Sequence, residues 1–254
     1  MTDTTTRTSQ RYWEIDSLRG IAIIMMVLYH LLWDLLLFNL VTDITLQAGF
    51  WKYFQRTTAS LFIILVGVSL AVSSQRHATV PPFRTFLGRG AKIFGWGLVI
   101  TAIVQFANMG RIDFGVLHLI GFSIIAAYPF LRYRWLNIGL WAGFNILGFV
   151  LQQNALHVPI SWPPLTWLSL ALGIQQPTGL YLDYFPVIPW FGVVLLGIGV
   201  GNLLYTDGRG PALLRSHRPA MMSTMGLQWL GQHSLVIYLV HQPILFGLLW
   251  ILYG

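Results

Sequence analysis

Seven predominantly apolar runs, at residues 18 to 40, 57 to 74, 90 to 107, 114 to 131, 135 to 151, 186 to 205 and 229 to 252, leave this chain one solvent to fold in. A hydrocarbon layer about 30 Å thick is crossed by about 20 residues of α-helix, and lipid tolerates no unpaired backbone polar group. The expected fold is therefore an all-α, polytopic transmembrane bundle of about seven spans. The 152 to 185 connection carries SWPPLTWLSLALG, too short and proline-broken to span, so it is expected at the interface or as a partial, re-entrant eighth segment. Residues 1 to 11 are polar and threonine-rich and read as a disordered tail, which leaves 12 to 254 as one transmembrane domain.

Charge sets the direction. Of the 15 Lys and Arg, an N-in arrangement places twelve inside (Arg7, Arg11, Arg19, Arg76, Arg84, Arg89, Lys92, Arg132, Arg134, Arg209, Arg215, Arg218) and only Lys52, Arg56 and Arg111 outside. The net charge of +7 is thus a membrane-orientation signal, and no nucleic-acid partner is expected. With 56% hydrophobic and 9% charged residues there is no soluble block longer than a loop. The absence of cysteine removes disulfides, thiolate nucleophiles and cysteine zinc sites together. Gly197 and Gly201 form a GxxxG pair suited to helix contact, and the glycine- and aromatic-rich faces would allow a homodimer.

Ionisable groups inside the spans narrow the function, because each costs at least about 2.5 kcal/mol at the bilayer centre and needs a partner or a task. His30 and Asp34 are four residues apart and share a helix face, a spacing at which the carboxylate can fix the imidazole tautomer. Arg19 lies about 16 Å below His30 on the same helix. The last span repeats the layout: Gln232, His233 and Ser234 sit near its inner end, and His241 with Gln242 lies about 12 Å further on, ahead of Pro243. His241 is expected at the level of His30. A third group gathers toward the outer face: Arg111, Asp113, His118, Asp183, Tyr184 and Trp190. The last two also suit an aromatic interfacial belt, and Arg111 with Asp113 a surface pair. On the inner side, RGAK places Arg89 and Lys92 at an expected helix start, where amides and cations favour anions. No HxxxH or HExxH spacing is present, so no metal is expected.

EIDSLRGIAIIMMVLYHLLWDL, FGVLHLIG, DYFPVIPWFGVVLLGIGVG and LGQHSLVIYLVHQPIL, in this order, resemble the heparan-alpha-glucosaminide N-acetyltransferase catalytic-domain family, in particular its small bacterial members, within the transmembrane acyltransferase superfamily. The resemblance implies a bacterial inner-membrane enzyme that moves an acyl group, acetyl above all, from cytoplasmic acetyl-CoA to an extracytoplasmic sugar or glycan. It places the donor's phosphates near Arg19, Arg89 and Lys92, with His233 and Ser234 at the same end, and the thioester toward His30. Extended pantetheine, about 15 to 20 Å long by chain reach, matches the Arg19 to His30 span. The catalytic set is then His30, Asp34, His241 and His118, and the acceptor-side set Arg111, Asp113, Asp183, Tyr184, Trp190 and Gln242. Read from the residues alone, a proton-coupled transporter of a small solute is the alternative, since midplane His and Asp also build proton relays. A purely structural membrane subunit, with polar residues pairing between helices, is a third.

Overall fold

A computed structural model describes residues 12–76, 80–108, 110–153, 162–175, 183–205, 210 and 222–253; the expected N-terminal tail lies outside them. Among the described residues nine α-helices run in order: α1 Trp13–Leu37, α2 Gly49–Gln75, α3 Phe83–Phe106, α4 Val116–Ala126, α5 Trp135–Gln153, α6 Pro163–Leu172, α7 Val187–Leu204, α8 Met222–Gln232 and α9 Ser234–Tyr253. Two short strands, β1 Ile112–Phe114 and β2 Asp183–Tyr184, pair in parallel ahead of α4 and α7.

Among the described residues six helices, α1, α2, α3, α5, α7 and α9, are long and apolar enough to cross a membrane, so the chain is a polytopic helical membrane protein. The expected fourth span differs. Its apolar run at 114 to 131 divides into an 11-residue α4 and a 3-10 turn, Tyr128–Phe130, because Pro129 falls where an α-helix would need its N–H. The last run also divides, with His233 separating α8 from α9. Helix α3 begins at Phe83, after Pro81 and Pro82, and not at the start of the 90 to 107 apolar run, so Arg89 and Lys92, expected at its start, lie in its second and third turns. The proline-broken 163 to 172 segment is a short helix with proline in its first turn, closed by Gly173 in the left-handed region at φ 84°.

The contacts divide the chain into two compact units, Met1–Phe62 with Gly210–Gly254, and Ile63–Arg209. In the first, α1 packs on α8 and α9. Gly20 faces the Leu227 carbonyl and Gly231 the backbone of Asp16, so closely that any side chain would strike main chain. In the second, α3 meets α4 through Gly90 and Gly121, and α5 meets α7 through Gly148, Gly192 and Gly199. Gly197 and Gly201 seat α7 on Ile64, Val68 and Ala71 of α2, the contact expected of the GxxxG pair. Many large apolar side chains on the long helices stay exposed, among them Ile24, Leu28, Ile103, Phe106, Leu248 and Ile251, as lipid-facing surfaces require.

Candidate functional site

In the first unit, α1 and α9 meet along three successive polar and aromatic rungs. His30 and His241 have ring centroids 4.9 Å apart. One turn along, the Gln242 Nε2 amide donates to Asp34 Oδ1 at 2.8 Å. One turn further, Phe38 stacks on Phe246 at 5.4 Å. The two imidazoles expected at one depth are therefore neighbours. The expected bond from Asp34 to His30 is not formed: Asp34 turns to the other helix and accepts from the Gln242 amide.

The second nitrogens and oxygens of this cluster matter most. His241 Nδ1 lies 2.8 Å from the Tyr238 carbonyl. A carbonyl only accepts, so that nitrogen carries the hydrogen and Nε2 holds the lone pair. Asp34 Oδ2, Gln242 Oε1 and His241 Nε2 are all buried without a hydrogen-bond partner among the described residues. Asp34 is 1% exposed and His241 8%, whereas His30 is half-buried and makes ring contacts with Tyr29 and His241. Buried polar atoms are nearly always paired in folded proteins, so three orphaned acceptors together mark a place built to meet something else.

At the other end of α1, Arg19 Nη1 donates to Asp16 Oδ1 at 3.1 Å, and Gln232 Nε2 reaches Asp16 Oδ2 at 3.4 Å. His233 stacks on Trp229 at 4.6 Å and donates through Nδ1 to the Trp229 carbonyl at 2.9 Å; Ser234 is the first residue of α9.

The second unit holds the remaining candidates. Gly115 N–H donates to His118 Nδ1 at 3.2 Å, so His118 closes the first turn of α4 with its other nitrogen carrying the proton. Its ring is packed between Phe94 and Phe114, with Gly97 leaving room for it. Asp183, brought alongside by the β1–β2 pairing, accepts from Val116 N–H at 3.0 Å and so caps the same helix from a distant part of the chain. Burial raises the Asp183 carboxyl to about 6, and the Val116 hydrogen bond opposes that rise. Tyr184 donates its hydroxyl to the Leu170 and Gln175 carbonyls at the end of α6. Trp190 packs on Phe185, and Arg111 pairs with Asp113 at 2.6 Å. Arg89 and Lys92 are exposed, and Arg89 lines a cleft of about 610 Å³ with Ser73, Thr85, Phe86, Pro81 and Pro82. They lie along α3 about 9 Å (Arg89) and about 13 Å (Lys92) from its first residue, so the expected pairing of cations with the amide donors of the helix start is replaced by cations alone.

Two residues that the sequence pattern leaves unremarked, Gln75 and Asn202, also join helices: Gln75 donates to Asn202 at 2.6 Å, and Asn202 to the Leu131 carbonyl at 2.9 Å. A lone amide at the end of an apolar run carries no local signal of such a bond.

A family model for the catalytic domain of heparan-alpha-glucosaminide N-acetyltransferase matches residues 11–243. No curated protein and no solved structure matches the chain.

Proposed function

Because this chain belongs to the heparan-alpha-glucosaminide N-acetyltransferase catalytic family, whose activity is membrane acetyl transfer from acetyl-CoA, we propose that it carries acetyl from the cytoplasmic side to an amine or hydroxyl of an extracytoplasmic sugar or glycan, at a bacterial inner membrane. The observation that supports this most is the α1–α9 cluster, in which a half-buried imidazole stands beside a second imidazole and three unpartnered acceptors.

In the proposed reaction His30 takes the proton of the acceptor's N–H or O–H as that atom bonds to the acetyl carbonyl carbon. The carbon–sulfur bond breaks, its electron pair leaves on CoA sulfur, and the proton is returned there, giving free CoA thiol and the acetylated acceptor. Asp34 and Gln242 hold the two helices at the distance this needs, and their free oxygens face donors on the acceptor. Arg19, about 16 Å from His30 along α1, is the proposed anchor for the donor's phosphates in this unit, as a guanidinium at the cytoplasmic end, with His233 and Ser234 at the same end. On the second unit the exposed Arg89 and Lys92 are the proposed phosphate contacts, and Arg111, Asp113, Tyr184, Trp190 and Asp183 the proposed contacts for an acceptor. The engaged Nδ1 of His118 favours support of α4 over proton transfer.

The experiment is equilibrium binding of labelled acetyl-CoA to the purified chain in lipid. Saturable binding displaced by CoA is expected in the wild type and in His30→Ala, with a weaker constant in Arg19→Ala. No saturable binding by folded protein would overturn the reading.

A further inference from the structure

The rung below Asp34 contains a group for which direct transfer to His30 has no use. His241 is buried, its Nδ1–H is committed to the Tyr238 carbonyl, and its Nε2 has no hydrogen-bond partner, while its ring centroid stands 4.9 Å from that of His30, so that a turn of the half-buried His30 ring is what brings the two nitrogens together. His30, in contrast, is half-buried and bonded to no hydrogen-bond partner among the described residues. One imidazole can meet a ligand, and the other is placed behind it with an acceptor of fixed position. Asp34, the carboxylate that would serve this purpose in a carboxylate–imidazole pair, is held on Gln242.

We infer that His241 is the positioning and proton partner of His30: the Tyr238 carbonyl fixes its tautomer, and Nε2 receives the proton that His30 releases from its far nitrogen as its near nitrogen takes the acceptor's proton. The inference rests on the acetyltransferase reading and specifies how its base is organised. No charge accumulates on His30 during the transfer, because one proton enters the ring as another leaves. The proton held on His241 returns along the same two rings to the departing CoA sulfur, so the pair ends as it began. In a span, where an isolated charge is costly, moving the positive charge to the imidazole already bonded to a carbonyl puts it where a dipole compensates it.

The two roles open to His241, anchor and proton partner, are separable by one substitution. Asparagine places an amide N–H where Nδ1 stands and nothing basic where Nε2 stands, so His241→Asn keeps the Tyr238 bond and deletes the acceptor. Purified chain in lipid is given acetyl-CoA as donor and glucosamine as probe acceptor, and CoA thiol release is followed. Turnover is expected to fall by about 100-fold in His241→Asn, with KM for acetyl-CoA and the melting temperature near wild type, and by a similar factor in His30→Asn. The double variant is expected to lose no more than either single one, since the two rings act as a unit. His241→Gln, which fills the same volume without a base, is expected to lose turnover likewise and serves if the asparagine variant does not fold. Wild-type turnover in either His241 variant, or a double loss equal to the product of the single losses, would overturn the inference and leave the enzyme reading standing. Absence of thiol release from the folded wild type would overturn both.

Discussion

Asp34 gives one oxygen to Gln242 and leaves the other buried without a partner, so different changes at the opposite end of that bond have different costs. Gln242→Leu removes the single donor to a buried carboxylate and is expected to destabilise the folded protein by about 1 to 3 kcal/mol. Gln242→Glu sets a second carboxylate against the first and is expected to cost more; thermal unfolding in detergent orders the two. Asp183 offers a pH test outside the spans. Its carboxyl sits at about 6 against an ordinary 3.8, so the folded state holds a proton that the unfolded chain has released between those values. Stability should therefore fall as pH rises from about 4 to about 6 and level off above, and Asp183→Asn, which can still accept from Val116 N–H, should flatten that slope. At this scale the sequence picks out the polar residues within the spans better than it picks out their partners. The four-residue spacing of His30 and Asp34 puts them on one helix face, but the choice of Gln242, 208 positions away, depends on how α1 meets α9, which no local pattern encodes.

Helices α1 and α8 approach where Gly20 and Gly231 replace side chains with bare backbone, each against the other helix's main chain. Gly20→Val and Gly231→Val should each force that crossing apart, at a cost of about 1 to 3 kcal/mol or more, read as a drop in melting temperature. Gly139→Ala, which meets open space, should leave it near wild type. Long apolar runs announce the spanning helices because lipid imposes one pattern on all of them. Their ends are less legible: charged Arg84 and Arg89 suggest a later start for α3, yet the helix continues back to the Pro82 cap because arginine is a good helix former. The β1–β2 pair, three residues on two, is too short to show alternation, and it brings Asp183 onto α4. The break at His233 is likewise silent, since the apolar run passes through it.

For the whole molecule, six long apolar helices among the described residues and a family match over 11–243 mark a multi-pass member of a membrane acetyltransferase family. The N-in orientation expected from the uneven placement of its cations is open to a clean test, because the sequence has no cysteine. Helix α3 is about 36 Å long, enough to place its ends on opposite sides. Arg84→Cys is expected to react with an impermeant maleimide only from the cytoplasmic face, and Ala107→Cys only from the other. The most direct measurement of the account is transfer of labelled acetyl from acetyl-CoA to a sugar acceptor by the purified chain in lipid, wild type against His30→Ala. Transfer by the wild type that falls by at least about 100-fold in a folded His30→Ala variant is the predicted result. Undiminished transfer in that variant would contradict the placing of the chemistry on the α1–α9 cluster.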